Sequence, residues 1–374
     1  MDANNGATIN ATNSATVNDG DVTVQNGGAL NVGTTEVPKN LALNGGNLTV
    51  AGTVNAENIT SNQASDPDTN AVINVSSNGA LNLVPAGNDT LFEGFDTSKG
   101  DKIGIGGKLN LDIADGQTVT QESTADITAN KDGNKGTLNK DGKGTLNLAA
   151  NNTVGTTNVK DGKVSVAADK TLNSNTVNVG DGTGDAGSAA LDILGTLDNV
   201  TNLNVKADGS VNVGDTDNAG TVNTDNLTVD GGTVEVNKGT VEADVTNINE
   251  GAVAIASGAK LDSEALNVGD GRGNASSAIL TNAGTVQTDN VTVKADGNLT
   301  NSSILIATGN LTVDGGQLNS SGTTSANNLT VDNNGTVNVT AGTTTVTADT
   351  NINNGTANVE NGAKLQSANI NVGD

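Results

Sequence analysis

Apolar residues alternate with polar ones in short runs along most of this chain. In Leu227-Thr228-Val229 and many similar tripeptides, an apolar residue is followed by Asn or Thr and then by a second apolar residue, usually Val. Because successive side chains of a β-strand face opposite ways, this period of two predicts strands with Leu227 and Val229 inside and Thr228 in water. Gly, Asn and Asp separate the runs and predict turns.

The same phrase recurs at a nearly constant interval. Its first apolar residue falls at Val177, Leu203, Leu227, Ile248, Leu266, Val291, Leu311, Leu329, Ile352 and Ile370. The spacing averages about 21 residues, and further short strands, introduced by Gly-Thr-Val or Gly-Ala-x-Leu, lie between successive phrases. About three short strands per period describe one coil of a β-solenoid. We therefore predict an all-β fold, a single-stranded right-handed parallel β-helix, with the hand given by the rule for parallel crossovers.

Stacked coils make further predictions about the interior and the surface. Roughly 17 coils, each rising about 4.8 Å, give a rod about 80 Å long. Val, Leu and Ile would fill a narrow interior that has no room for Trp or Tyr. Asn recurring at the turns can form ladders of side-chain amides along the axis, and Gly supplies the positive φ that the corners need.

A longer repeat is superimposed on the short one. Residues 233–270 align with residues 336–374 after one insertion, and both stretches close on Asn-Val-Gly-Asp, a phrase that also stands at 178–181. Duplication rarely stops by chance where a unit closes. We interpret the chain as a segment of a longer array.

The N-terminal third departs from this regularity. We divide the chain into an irregular β-helical region with loop insertions, 1–135, and a regular repeat β-helix, 136–374, whose units cover about 181–270 and 271–374. The two Phe residues, Phe92 and Phe95, both fall in the irregular region, and we interpret them as part of a loop packed on the side of the helix rather than as a ligand site.

Composition and charge exclude several functions. The chain of 374 residues carries 17 Lys+Arg against 42 Asp+Glu, a net charge of −25, and has no Cys, His, Trp or Tyr. Such an acidic surface repels phosphate backbones, so we expect no nucleic-acid partner. No apolar run of about 18 residues predicts a membrane-spanning helix, and the first ten residues do not resemble a signal peptide. The absence of Cys fits either a reducing cytosol or export through a pore.

A family resemblance begins at Gly142. The stretch GKGTLNLAANNTVGTTNVKDGKVSV, residues 142–166, resembles the passenger-associated transport repeat of autotransporter proteins, in its Gly-Thr-Leu-Asn-Leu, its Asn152-Thr153 and its closing Gly-Lys-Val-Ser-Val. Val154 stands where that repeat often has Tyr, and the chain shows no pattern of a membrane β-barrel. The resemblance covers about 25 residues strictly. It implies a bacterial protein exported to the cell surface as a β-helical stalk.

Two functional classes fit this resemblance and the composition. The first is a cell-surface stalk or passenger segment of an adhesin that mediates attachment or cell-cell contact, with a host or neighbouring cell as partner and an extracellular location. The alternative is a self-assembling protein of a surface layer or extracellular matrix filament, in which copies pair at sheet edges or open ends. Exposed aromatic residues would favour a receptor-binding face, and the sequence offers none.

Catalysis and metal binding have little support in the sequence. General acid–base chemistry needs His or paired carboxylates with shifted pKa values, whereas the carboxylates here stand mostly in turns, so we expect no enzyme and no cofactor. Calcium binding is a hypothesis that rests on two sets of candidate oxygen ligands. The candidate ligands are Asp66, Asp68 and Asn70 in one loop and Asp181 and Asp185 in another. The equivalent loop of the next repeat unit, which begins at Gly269, has Asn274 in place of Asp185. This difference favours a solvated corner over a metal site.

Overall fold

The chain coils into a parallel β-solenoid of about 17 turns with about 21 residues per turn, and 62% of its residues lie in strands. A computed structural model describes residues 1–62 and 70–373. The predicted all-β fold and the length of the coil are therefore confirmed. The period of two and the glycine-rich corners carry this outcome, since they give strands that can stack only on neighbouring coils.

The strands of residues 1–135 are short. They are β1 Asp2–Ala3, β2 Thr8–Ala11, β3 Ala15–Asn18, β4 Asp21–Val24, β5 Ala29–Val32, β6 Leu41–Asn44, β7 Asn47–Val50, β8 Thr53–Ala56, β9 Ile59–Ser61, β10 Val72–Val75, β11 Ala80–Leu83, β12 Thr90–Leu91, β13 Lys102–Ile105, β14 Lys108–Asp112, β15 Thr118–Gln121 and β16 Ile127–Thr128. A short 3-10 helix, Thr97–Lys99, interrupts them.

Many strands of residues 136–374 are longer. They are β17 Thr137–Asp141, β18 Thr145–Leu148, β19 Asn152–Val159, β20 Gly162–Val166, β21 Thr171–Val179, β22 Ala189–Ile193, β23 Thr196–Lys206, β24 Gly209–Val213, β25 Gly220–Val236, β26 Gly239–Ile255, β27 Lys260–Val268, β28 Ala278–Asn282, β29 Thr285–Lys294, β30 Gly297–Asn301, β31 Ile304–Asp314, β32 Gln317–Ser320, β33 Thr323–Asp332, β34 Thr336–Val339, β35 Thr343–Ile352, β36 Thr356–Val359 and β37 Lys364–Val372.

The expectation of about three separate short strands per coil needs correction in the second half. β25 and β26 are each 17 residues long and continue around a corner of the coil instead of ending there. Gly231 lies inside β25 at a φ of 93°, a left-handed conformation that glycine adopts without the penalty of a Cβ. Glycine thus turns the chain at a point where the pairing with β26 shifts its register between Val229 and Thr233, and the pairing resumes after the corner.

The chain divides into two compact units. The first comprises Met1–Asn178, Ala189–Leu191 and Thr196–Asn199, and the second comprises Val179–Ser188, Asp192–Gly195 and Val200–Asp374. The fold of each unit is parallel stacking.

In the first unit, apolar residues of successive coils stack in register. Val22 of β4 pairs with Leu48 of β7, Leu48 with Ile73 of β10, and Ile73 with Ile103 of β13. All four side chains are buried. The column makes a continuous apolar interior, and burial of each such side chain contributes about 1.5–3 kcal/mol relative to exposure.

In the second unit, the alternation of the sequence is reproduced directly. Leu227 and Val229 are buried, while Thr228 between them is half-buried and faces outward. Leu266, Val291 and Leu311 follow one another in a single inward column. The predicted inward and outward assignment is confirmed here.

Two members of the recurring phrase, Ile248 and Ile352, do not occupy the column that the spacing indicates. Leu227 pairs with Thr246, and Ile248 instead pairs with Val229. Thr246 is fully buried and donates a hydrogen bond of 3.2 Å from its Oγ1 to the Oγ of Ser263. A shift of two residues keeps every side chain on the same face of a strand, so the pattern alone could not place Ile248.

Asparagine ladders run along the surface of the solenoid. In the first unit, the Nδ2 of each Asn donates to the Oδ1 of the preceding one at 2.6–2.8 Å. The members of this ladder, called the amide ladder below, are Asn10, Asn31, Asn55, Asn82, Asn110, Asn139, Asn158 and Asn178. The predicted ladders are confirmed, but these residues stand at outward positions within strands and not at turns.

The two Phe residues lie inside the irregular region of the first unit. Their rings are fully buried, 5.9 Å apart between centroids and edge to face at 73°. Phe92 adopts a φ of 58°, and its backbone N donates to the Oδ1 of Asn58 at 3.2 Å. Both rings pack in the interior, whereas the sequence analysis expected a loop packed on the side of the helix.

Candidate functional site

Of the first set of calcium candidates, the structure describes only Asn70. Asp66 and Asp68 lie outside the described residues. Asn70 is exposed, and its Oδ1 would be 2.6 Å from a Cβ added at Gly100, so the two residues lie close together. The calcium hypothesis for this set stays a prediction.

Asp181 and Asp185 lie in one exposed corner loop, residues 180–188, in the second unit. The Oδ1 of Asp181 accepts hydrogen bonds from both the backbone N and the Oγ1 of Thr183. These bonds, the side-chain one first, lower the pKa of Asp181 below its usual value. The backbone O of Asp185 accepts a bond of 2.9 Å from Ser188. The sequence therefore makes a tight, internally bonded turn here.

The residue that holds this loop in place is Asp208, which the sequence analysis did not single out. Its carboxylate is only 1% exposed and accepts bonds from the backbone N of Gly182 at 2.7 Å and of Asp181 at 3.0 Å. Gly180 opens the loop at a φ of 85°, and a Cβ there would meet the Oδ1 of Asp208 at 2.2 Å. Only glycine permits the backbone to approach this carboxylate so closely.

The sister loop, residues 269–277, has the same construction. Asp296 is 1% exposed and accepts from the backbone N of Gly271 at 2.8 Å and of Gly273 and Asp270 at 3.2 Å each. Burial raises the pKa of Asp296, but these amide bonds outweigh it, and the pKa lies below its usual value. Asp296 is thus a charged acceptor at neutral pH.

A lysine side chain donates to the backbone of each corner loop. A repeated phrase in the sequence marks the lysine and the acid together. Lys206 donates to the backbone O of Asp181 and Lys294 to that of Asp270, both at 3.5 Å. The phrase Val-Lys-Ala-Asp-Gly occurs at 205–209 and again at 293–297. Each copy stands one coil after a loop, so a comparison of the repeats could have paired Asp208 and Asp296 with the loops.

These corner loops use their carboxylates to bind the protein's own backbone. Within residues 1–62 and 70–373, no group of three or more His, Cys, Asp or Glu side chains is arranged to hold a metal ion. Asp181 and Asp208 already accept from backbone amides, which leaves fewer oxygen lone pairs for a cation. These carboxylates hold the backbone of a corner loop in place.

A buried lysine forms a second unusual polar centre, in the first unit. Lys140 is fully buried, and its Nζ donates to the backbone O of Gly142 at 2.7 Å, of Asp141 at 3.0 Å and of Asp161 at 3.2 Å. Burial lowers the pKa of Lys140 to about 8, although Asp161, Asp112 and Asp141 oppose the shift. The ammonium thus adds a charged donor to three carbonyls at one corner, of which that of Asp141 also accepts a bond of 3.1 Å from the backbone N of Ile113.

Lys140 stands just before the segment that resembles the passenger-associated transport repeat. In that segment, Leu146 pairs with Val164 and Leu148 with Val166, so its opening and closing phrases stack on each other in parallel register. Val154 between them is 1% exposed. Residues 142–166 therefore correspond to one coil and the start of the next.

The chain matches no known family, no curated protein and no solved structure. No helix of residues 1–62 and 70–373 is long and apolar enough to cross a membrane.

Proposed function

We propose that this chain is a segment of an exported bacterial cell-surface protein, a β-helical stalk or passenger of an adhesin that mediates attachment or cell-cell contact. The observation that carries the proposal is the amide ladder. It repeats one polar, uncharged surface from coil to coil over residues 10–178. A spacer needs this kind of uniform and hydrophilic surface, since large exposed apolar patches promote nonspecific association.

The resemblance of residues 142–166 supports the bacterial surface location. The segment forms a coil with paired opening and closing phrases, as expected of a repeat that stacks on its neighbours. The two buried Phe rings support the stalk further, because no aromatic side chain is available on the described surface as an anchor for a protein receptor. We expect no catalytic activity and an extracellular location.

Immunolabelling and a deletion in the source bacterium test this function. We expect antibodies to label intact cells, protease added outside to remove the label, and deletion of the gene to reduce attachment to host or neighbouring cells. Label found only after the cells are broken would contradict the proposal. An unrelated cytosolic protein serves as the control for cell integrity.

Light scattering of the purified chain over a range of concentrations separates the two structural roles. A passive stalk predicts a constant molar mass at micromolar concentration. Ordered sheets or fibres, or a mass that grows with concentration, would instead support the alternative of a surface-layer or matrix filament.

A further inference from the structure

A groove of about 580 Å³ lies on an outward face of the first unit. Its floor is a column in which Thr23 pairs with Thr49 and Thr49 with Asn74. Asn74 in turn pairs with Gly104, where an added Cβ would lie 3.0 Å from the Cα of Asn130. The missing side chain of Gly104 thus lets the loop around Asn130 cross the face and close one end of the groove.

Asn74 carries a hydrogen-bond donor without a partner at this closed end. The side chain is 5% exposed, and its Oδ1 accepts a bond of 3.1 Å from the backbone N of Lys131. Among the described residues, nothing accepts from its Nδ2. Rotating the amide would lose the bond to Lys131, so the orientation is fixed by its neighbour. A buried donor left unpaired costs about 1–3 kcal/mol, which an acceptor in the groove would recover.

The charged groups around the groove balance in sign. Asp21, with its Oδ1 bonded to the Nδ2 of Asn47 at 2.7 Å, and Lys102 line the same groove. Lys131 forms an ion pair of 3.0 Å with Asp132. The groove therefore offers both donors and acceptors, with no excess of either charge.

Hydroxyl groups are the ligand chemistry that suits this lining, because each hydroxyl both donates and accepts. The threonine hydroxyls and Asp21 can accept, while the Asn74 amide and Lys102 can donate. Three stacked residues spaced by the rise of a coil extend over about 10 Å, and the volume is in the range of small-molecule sites. A polyanion would meet a chain of net charge −25, which disfavours acidic polymers.

We propose that the groove lined by Thr23, Thr49, Asn74 and Lys102 binds a neutral saccharide. The free N–H of Asn74 donates a hydrogen bond to a hydroxyl oxygen of the sugar. Neighbouring sugar hydroxyls form hydrogen bonds with Thr23 and Thr49. This site goes beyond the stalk function and does not depend on it, since a purified chain would bind sugar wherever the protein resides.

Saturation-transfer NMR and calorimetry with the full chain test the site. The probes are neutral oligosaccharides of glucose, galactose, mannose and N-acetylglucosamine, compared with sialylated and uronate-containing oligosaccharides and with a Glu-rich peptide. We expect at least one neutral oligosaccharide to bind. Asn74→Asp keeps an acceptor for Lys131 and replaces the free donor by a negatively charged acceptor, so we expect binding about tenfold weaker or lost.

Thr49→Val removes a single hydroxyl while preserving the shape of the side chain. We expect it to weaken binding about three- to tenfold. Thr312→Val is the matched control, because Thr312 stands in the same tetrapeptide, Asn-Leu-Thr-Val, at a half-buried outward position away from the groove. Its binding should equal that of the wild type.

Several results would overturn the proposal. These are no binding by any neutral oligosaccharide at millimolar concentration, binding of only the acidic probes, or equal losses in Thr49→Val and Thr312→Val. If antibodies label the surface of intact cells but the purified chain binds no neutral oligosaccharide, the stalk function stands and the saccharide site is excluded. The two proposals can therefore fail separately.

Discussion

The carboxylate of Asp208 accepts a 2.7 Å hydrogen bond from the backbone N of Gly182, 26 residues earlier in the chain. One buried acid thereby holds a corner loop of the preceding coil. Its equivalent, Asp296, does the same for Gly271 in the sister loop. This pairing of a loop with an acid in the next coil makes the corners stable elements.

We expect Asp208→Ala to lower the free energy of unfolding by about 2 kcal/mol, because two backbone amides lose a charged acceptor in a buried place. Urea unfolding measures the loss, and limited proteolysis should show new cleavage within residues 180–188. Asp225→Ala, at an exposed corner position, is the control and should change little. Equal stability of both variants would show that Asp208 does not hold the loop.

Gly269 and Gly271 provide a matched test of close approach. Both have a positive φ, 89° and 83°, but a Cβ at Gly269 would lie 2.3 Å from the Oδ1 of Asp296, whereas at Gly271 the nearest atom is 3.6 Å away. Gly271→Ala should cost about 1 kcal/mol for the left-handed backbone alone. Gly269→Ala should cost about 3 kcal/mol, measured by thermal unfolding. Similar losses would exclude the contact with Asp296.

The amide ladder should contribute to stability according to the number of bonds that each member makes. Asn82→Ala removes one bond to Asn55 and one from Asn110, and we expect a loss of about 1–2 kcal/mol. Asn10→Ala removes only the bond from Asn31 and should cost about half as much. Chemical unfolding of both variants gives the ratio, and a greater loss at Asn10 would contradict additive rungs.

Lys140 should make stability depend on pH in the alkaline range. Its folded pKa of about 8 lies below the usual 10.5, so between these values the unfolded chain binds more protons. Stability therefore rises with pH across this window, by at most about 3 kcal/mol, and is independent of Lys140 below it. The free energy of unfolding is measured at each pH for the wild type and for Lys140→Met, which has no ionisable group at this position and should not show the rise.

A direct measurement covers the case in which Lys140→Met does not fold. The pH titration of the Lys140 side chain in the wild-type protein, followed by NMR of its Nζ, should show a midpoint near pH 8. A midpoint near the usual value of lysine would contradict the effect of burial.

Calcium should leave the corner loop at 180–188 unchanged. Thr183 already bonds to the Asp181 carboxylate, and Lys206 lies against the backbone O of the same residue. We expect the same melting temperature in calcium and in chelator. A calcium-dependent rise that disappears in Asp181→Asn would establish a site in this loop, and one that disappears in Asp66→Asn would place it in the other candidate set.

The class of fold, the length of the coil and the inward face of most strands could be predicted from the sequence. These follow from a period of two inside a period of about 21 residues, which any stacked coil must respect. The amide ladders also followed from the recurrence of Asn, although their place within strands did not. Local pattern suffices wherever each coil repeats its neighbour.

Which residues meet between coils depends on the stacking, and the sequence pattern does not specify it. Thr246 and not Ile248 lies beside Leu227, because a shift of two residues leaves the alternation unchanged. The backbone N of Lys131 reaches the side chain of Asn74, 57 residues earlier in the chain. Such contacts depend on the register of stacking and on the corners through which the chain turns, and the order of apolar and polar residues does not encode either one.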